Sequence, residues 1–145
     1  MRFIGFDREE EAEAWARDKM DLPHEPGFFR AMSAVDASGE FVCVVVLTNF
    51  TSRNIDINIA IDPSKVRPKG TIEMYNGVFG YLFDTLGVKR LTGLVGSDND
   101  KSLSVVPKFG FLYEGTMRKA LGNDRDLHIF GLLAEDYYQH NWYRA

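Results

Sequence analysis

The sequence has very little of what disulfide-linked and metal-binding proteins use. Its 145 residues include one cysteine, Cys43, and three histidines. A single cysteine excludes an intramolecular disulfide and a cysteine-rich metal site. His24, His128 and His140 lie too far apart in the sequence to suggest a shared set of ligands, so we expect no structural metal. Cys43 lies in an apolar run that would raise its pKa and hide it, which argues against a nucleophilic role.

Long apolar segments and an excess of positive charge are also missing. The longest apolar run covers Phe41 to Leu47, far below the roughly 20 residues that cross a bilayer. Met1 opens no signal-like segment, so we expect a cytoplasmic protein without a membrane partner. The formal net charge is -4, with both signs mixed along the chain, and such a surface does not favour nucleic acid as a partner.

Apolar residues, in contrast, are plentiful enough for one core. Hydrophobic residues make up 45% of the chain and aromatic residues 13%. This length and composition predict a single domain over residues 1–145. The elements follow the order β-α-β-β-β-α-β-α-β-β, which indicates a mixed α/β fold with antiparallel strands before the long helix and a parallel neighbour after it.

Residue periodicity and turn residues give the bounds of most elements. Asp7 is a candidate cap for a first helix that ends near Lys19, with Glu10 in the capping-box position. The prolines between Leu22 and Gly27 predict an irregular segment. Strands are expected over 29–36, 41–50, 55–61, 90–95, 111–118 and 127–132, further helices over 71–86, 99–109 and 134–143, and a turn over 121–124.

The segment from Val66 to Thr71 is a candidate anion site between a strand and the long helix. It combines the free amides and positive dipole end of a helix start with Gly70, which lets an anion approach the backbone. Arg67 and Lys69 add two cations. An ordinary basic loop with a turn glycine would contain the same residues, so this segment alone does not decide between the two.

A second segment joins a strand to the next helix. Asn99 can cap that helix with Ser102 one turn later, and Gly110 offers a left-handed exit before Phe111 enters a strand. By itself the pattern equally fits a capped helix between two strands.

Together the two segments resemble the GCN5-related N-acetyltransferases, and within them the branch that contains the ribosomal-protein N-terminal acetyltransferases. The cofactor loop of that family, Gln/Arg-x-x-Gly-x-Gly/Ala, corresponds to Arg67 and Gly70. Its later pattern of Asn-x-x-Ser, Lys-x-Gly-Phe and Glu-Gly is matched by Asn99, Ser102, Lys108, Gly110, Phe111, Glu114 and Gly115. The resemblance covers residues 29–137.

The resemblance implies that acetyl-CoA is the acyl donor and that its pantetheine arm lies between strands that splay apart near Ile61 and Val95. Backbone groups of Ile59 and Ile61 would pair with the amides of this arm. Asn99 and Ser102 would reach the arm or the leaving sulfur from the opposite wall. The cofactor phosphates would meet Arg67, Lys69, Gly70 and Thr71.

Four positions depart from the family pattern. Ile72 stands where the family has a small residue, and Pro68 removes one amide donor from the loop. Val106 stands where many relatives have a tyrosine that protonates the thiolate, which leaves that role to Ser102 or to water. Pro107 should shorten or kink its helix.

Acyl transfer to an amine requires that the amine be neutral when it attacks. Asp56 lies on the polar face of a strand that alternates with isoleucines, and it is our candidate general base, directly or through a water oriented by Asn58. The alternative for Asp56 is an ordinary solvated or ion-paired carboxylate. The family resemblance further implies that the acceptor enters between residues 22–28 and 121–126, where Glu25, Asp124 and Asp126 would attract a cation.

The sequence does not identify the acceptor amine, because neither the fold nor the cofactor loop determines which amine binds. A protein N-terminus, a lysine, a polyamine, an aminoglycoside and other small amines all remain open. The competing hypothesis is a catalytically silent CoA-binding sensor or interaction module. A homodimer is compatible with either hypothesis.

Overall fold

A computed structural model of the chain describes residues 1–19, 29–122 and 124–139. Seven strands form one sheet: β1 (Arg2–Gly5), β2 (Phe29–Val35), β3 (Phe41–Thr48), β4 (Asn54–Ile61), β5 (Arg90–Gly96), β6 (Leu112–Leu121) and β7 (Arg125–Leu133). Four α-helices accompany them in this part of the chain: α1 (Glu9–Lys19), α2 (Pro68–Gly80), α3 (Asp100–Val105) and α4 (Ala134–Gln139).

The strands follow the order β1-β2-β3-β4-β5-β7-β6 across the sheet. β4 and β5 pair in parallel, and the other five neighbouring pairs are antiparallel. The predicted mixed sheet flanked by helices is therefore confirmed. β1, which the sequence placed in the order without bounds, forms one edge of the sheet.

Apolar residues divide into two cores on opposite faces of the sheet. The larger core contains Met74, Tyr75, Val78 and Phe79 of α2, packed with apolar residues of the strands. The smaller core contains two alanines of α1 with residues of β2, β3 and β4. β3 contributes to both, and its run from Phe41 to Leu47 is buried throughout, as its continuous apolar sequence predicts.

The half of the sheet formed by β5, β7 and β6 is less covered than the half under α1. The α1 core contains no residue of these three strands. Leu112, Met117 and Leu133 on β6 and β7 are correspondingly exposed, by 67%, 49% and 38%. The boundary between the two halves falls between β4 and β5.

The predicted helix starts need correction. α1 begins at Glu9, and the amide of Ala12 donates to the carbonyl of Arg8, so Arg8 rather than Asp7 precedes the helix. The Arg8 side chain pairs with Glu11 at 2.9 Å, and the Asp7 side chain makes no hydrogen bond within the described residues. α2 begins at Pro68, three residues before the predicted start, because a proline suits the first helical position.

Other bounds agree with the sequence more closely. α2 continues as one π-helical segment, Tyr81–Thr85, and Gly87 then takes a φ of +76° where the helix was expected to end. α3 gives way to a 3-10 helix, Val106–Phe109, which confirms that Pro107 shortens it. β6 extends through Leu121, so the turn begins at Gly122, one residue later than predicted. The expected irregular segment 22–28 and the end of the last helix, 140–143, lie outside the described residues.

β1 packs directly on α2 at two glycines. A side chain at Gly70 would bring its Cβ to 2.3 Å from Met1 Cε, and at Gly77 to 2.5 Å from the ring of Phe3. The amide of Phe3 also donates to Glu73 Oε1 at 3.2 Å. The two glycines therefore allow an edge strand to lie against the helix. No helix in the described part of the chain is long and apolar enough to cross a membrane.

Candidate active site

β4 and β5 separate after a short paired stretch. Their ladder runs from Asn54 and Arg90 to Ile57 and Gly93. Beyond it, β4 stays paired with β3 as far as Ile61, and β5 stays paired with β7 through its last residue. Each strand is thus held by its outer neighbour while a gap opens between them, which confirms the predicted splay.

The backbone of β4 turns unpaired groups toward this gap. The amide of Asp62 donates to the carbonyl of Val42 at 2.8 Å, so Asp62 faces β3. Because N–H and C=O groups of successive residues alternate in direction along a strand, those of Ile59 and Ile61 face the gap. This is the orientation that pairing with a pantetheine arm requires.

A side chain bridges the two strands where they part. The amide of Ser97 donates to the carbonyl of Asp126 at 2.9 Å, so the same alternation turns the carbonyl of Leu94 toward the gap. Asn58 Nδ2 donates to that carbonyl at 3.0 Å. At this point, which we call the fork, the side chain of Asn58 takes the place of a backbone hydrogen bond between β4 and β5.

The start of α2 offers free amide donors beside the gap. Arg67 is the N-cap residue with extended backbone, and no side chain in the described residues caps the helix. The amide of Thr71 donates to the carbonyl of Arg67 at 2.9 Å, which makes Thr71 the first residue with a helical partner. Pro68 has no amide hydrogen, so Lys69 and Gly70 carry the amides without a helical acceptor.

The predicted phosphate-binding side chains are arranged unequally. Lys69 is exposed, whereas the guanidinium of Arg67 folds back on its own loop and donates to the carbonyls of Val66 at 3.0 Å and Ser64 at 3.4 Å. The hydroxyl of Thr71 donates to the carbonyl of Arg67 at 3.0 Å. The structure thus brings these residues together at one helix start.

Gly70 has a packing role that the sequence did not reveal. It is buried, and the space that a side chain would fill is occupied by Met1. A larger residue there would displace β1 as well as any ligand. The signal for this contact was weak, because a four-residue strand is too short to show a periodic pattern.

The other side of the gap is formed by the start of α3. Asn99 Oδ1 accepts from the amide of Ser102 at 3.2 Å, which confirms the predicted cap. The hydroxyl of Ser102 has no hydrogen-bond partner within the described residues. Val106 is buried in the larger core together with Phe109, so its position presents no polar group.

Asp56 lies in the paired part of β4, beside Thr92 and two residues before the fork. Its carboxylate accepts from Asn54 Nδ2 at 3.0 Å and from Asn49 Nδ2 at 3.2 Å. The Thr92 hydroxyl donates to Asn54 Oδ1 at 2.7 Å, and Arg90 Nε donates to the Thr92 hydroxyl at 3.0 Å. The chain of hydrogen bonds from Arg90 through Thr92 therefore orients the side-chain amide of Asn54, which donates to Asp56.

This chain ends in an ion pair that crosses β7. Arg90 donates to both carboxylate oxygens of Glu114, at 3.0 and 2.5 Å. The pair passes over Gly131, where a Cβ would lie 2.3 Å from the Glu114 carboxylate. The hydrogen bonds and charge of Arg90 hold the pKa of Glu114 below its ordinary value. Sequence reasoning missed this network because its members come from separate strands.

Burial raises the pKa of Cys43 to about 12, so its thiol is protonated at neutral pH and unsuited to covalent catalysis. Within residues 1–19, 29–122 and 124–139, no cluster of three His, Cys, Asp or Glu side chains is arranged to hold a metal ion.

Of the acidic residues expected at the acceptor entrance, Asp126 Oδ1 accepts from the amide of Lys119 at 2.9 Å, Asp124 is exposed, and Glu25 lies outside the described residues.

Comparison with protein families gives a match to the acetyltransferase (GNAT) domain over residues 1–112. Comparison with curated protein sequences gives no significant match.

Solved structures with the same fold include spermidine N-acetyltransferase SpeG from Vibrio cholerae. A single-residue variant of that protein has a TM-score of 0.67 at 21% identity, covering 91% of this chain and 79% of the other. Its complex with CoA and spermine has a TM-score of 0.64 at 21% identity, with 89% and 77% covered. At this identity the likeness shows a shared fold.

Proposed function

Since the chain belongs to the family of GNAT acetyltransferases, we propose that it moves an acetyl group from acetyl-CoA to a primary amine, by direct transfer within a ternary complex. The observation that carries the proposal is the gap between β4 and β5 next to the uncapped start of α2. Such a site offers backbone partners for an extended amide-containing arm and amide donors for its phosphates.

The residues present fit this cofactor. Backbone groups of Ile59 and Ile61 would pair with the pantetheine amides. The amides of Lys69 and Gly70, with the side chains of Lys69, Arg67 and Thr71, would receive the phosphates. Asn99 and Ser102 would face the arm from the α3 side, and the bound cofactor would supply the activated acetyl thioester.

Asp56 would remove a proton from the ammonium group of the acceptor, directly or through water, and the resulting neutral amine would attack. Its hydrogen bonds to Asn49 and Asn54 leave acceptor capacity on both oxygens, because each carboxylate oxygen has two lone pairs. Asn58 lies at the fork, where it can orient that water. The free hydroxyl of Ser102 would donate to the departing thiolate.

The acceptor would be a protein N-terminus, a lysine or a small amine. The solved SpeG complex holds spermine together with CoA, which supports a cationic acceptor for this chain as well. At the β6–β7 turn, Asp124 is 85% exposed beside Lys119 at 3.8 Å, and Asp126 accepts a backbone amide. These two carboxylates would attract such a cation, whereas Asp98 already pairs with Arg125 at 3.4 Å. Placement in the branch of ribosomal-protein N-terminal acetyltransferases rests on the motif match alone.

The test is acetyl-CoA turnover with a panel of amines, paired with CoA binding by calorimetry. We expect CoA binding and CoA release that depends on at least one primary amine: a peptide N-terminus, a lysine peptide, a polyamine or an aminoglycoside. Binding without release for every amine would instead support the sensor, the alternative that the loss of a tyrosine at Val106 favours. Absence of CoA binding would contradict both.

A further inference from the structure

Lys65 lies in the connection between β4 and α2 and is surrounded by carboxylates. Its ammonium nitrogen is 2.6 Å from Glu40 Oε2, 3.4 Å from Asp36 Oδ2 and 3.9 Å from Asp62 Oδ2. The side chain is 28% exposed, so this group of charges is partly shielded from solvent. One cation thus faces three carboxylates that come from two separate turns.

Both turns are fixed by their own aspartates. In the β2–β3 turn, Asp36 Oδ1 accepts from the Ser38 amide at 2.9 Å, the Ser38 hydroxyl at 2.7 Å and the Glu40 amide at 3.0 Å. In the connection after β4, Asp62 Oδ1 accepts from the Ser64 amide at 3.1 Å and its hydroxyl at 2.7 Å. Lys65 therefore joins two turns that are already ordered.

The connection held by Lys65 leads directly into the predicted phosphate site. Arg67, two residues later, is the N-cap of α2, and its guanidinium donates hydrogen bonds to the carbonyls of Ser64 and Val66. Lys65 and Lys69 are at most about 14 Å apart along the chain. Without Lys65, these three carboxylates would keep the charge of Lys19, which acts on Asp62. Their remaining negative charge would repel cofactor phosphates at the start of α2.

We propose that Lys65 is a positioning residue for the cofactor phosphates: it fixes the connection before α2 and offsets the negative charge of Asp36, Glu40 and Asp62. This inference rests on the proposed function, since it assumes that CoA phosphates bind at the start of α2. Lys65 is outside the family motif, and its ion pairs are with the β2–β3 turn and with Asp62.

The test is CoA binding by Lys65→Met, measured by calorimetry at low and high salt. We expect the dissociation constant to rise about tenfold, a factor equal to about 1.4 kcal/mol, with a larger loss at low salt because charge repulsion is screened by ions. Turnover at saturating acetyl-CoA should stay within about twofold. The KM for acetyl-pantetheine, which lacks the phosphates, should not change.

Three variants serve as controls. Lys65→Arg should keep wild-type affinity, and Glu40→Gln added to Lys65→Met should restore part of the loss. Lys89→Met removes the same charge from an exposed lysine at the far end of β5, and it should bind CoA as wild type does.

Three results would each overturn the inference. They are wild-type CoA affinity in Lys65→Met, a loss that extends equally to acetyl-pantetheine, and a loss that Glu40→Gln does not relieve. If the wild-type protein itself failed to bind CoA, the proposed function would fall together with this inference.

Discussion

The two walls of the gap are built very differently. The β4 wall consists of β4, the connection 62–67 and α2, and it is braced by the Lys65 ion pairs, by the Phe3 to Glu73 hydrogen bond and by the close packing of β1. The β5 wall consists of β5 and α3, a helix of six residues with no buried side chain. Its start is held by the Asn99 cap.

The difference matches the two tasks of the site. Amide donors that are fixed before a phosphate arrives lose little conformational freedom on binding it, so a braced wall favours affinity. A short helix with a free hydroxyl can adjust to the changing geometry around a departing sulfur. We therefore expect changes in the braced β4 wall to affect binding and stability, and changes in the β5 wall to affect turnover. Asp56 is the exception that tests this division.

Asp56→Asn should give the largest effect. Loss of a general base lowers turnover by roughly 10²–10⁴-fold, while CoA affinity should stay nearly constant because Asp56 lies in the paired part of β4. Raising the pH should partly restore the rate, since more of the acceptor amine is then neutral. Steady-state rates across pH, with calorimetry for CoA, measure both quantities.

The matched control for this prediction is Asp7→Asn, which removes an exposed carboxylate just before α1 and should keep the wild-type rate. A small loss of rate in Asp56→Asn with an unchanged pH profile would leave Asp56 as an ordinary polar residue on the face of the strand.

Ser102→Ala should lower turnover by about 10²-fold, the lower end of the range for proton transfer, because water can replace the hydroxyl in part. Its effect on CoA affinity should be smaller than its effect on rate. Ser104→Ala is the control on the same helix, since Ser104 Oγ donates only to the carbonyl of Lys101 at 2.8 Å. Equal losses in rate and affinity would mean that Ser102 only holds the pantetheine.

Gly77→Ala should destabilise the β4 wall by about 1–3 kcal/mol, because the new methyl group would meet the rigid ring of Phe3 at 2.5 Å. Gly80→Ala, one turn further along α2, meets nothing closer than 3.8 Å and should be neutral or stabilising by up to about 1 kcal/mol. Urea unfolding measures both. Equal stabilities of the two variants would show that β1 does not brace the helix.

The sequence predicted the features that repeat or stand at a fixed spacing. The alternation of isoleucines predicted β4 and the polar side of Asp56, and the Asn99-x-x-Ser102 spacing predicted the cap. Local patterns could not show which residues meet across strands, as in the chain from Arg90 through Thr92 to Asn54. They could not show the contact of Met1 with Gly70 either, because it joins two elements nearly 70 residues apart.

The smallest expected effect is the loss of stability at acid pH through Asp36, whose turn is joined to the β4 wall by Lys65. The Ser38 hydroxyl, two backbone amides and Lys65 lower the pKa of Asp36 from 3.8 to about 2. A carboxyl group whose pKa is lower in the folded state stabilises the fold above its unfolded pKa, and this contribution is lost as the pH falls through the folded value. Between about pH 4 and pH 2 the wild-type protein should therefore lose stability through Asp36.

Asp36→Asn should flatten that part of the stability curve, because an amide does not titrate. Ser38→Ala should flatten it less, since it removes the largest cause of the shift and leaves the backbone amides and Lys65 in place. Urea unfolding at several pH values, with an NMR titration of the Asp36 carboxyl, measures the two effects. If the stability of Asp36→Asn fell with pH as steeply as that of the wild type, the acid sensitivity would come from other groups. The β2–β3 turn would then not be one of the features that brace the β4 wall.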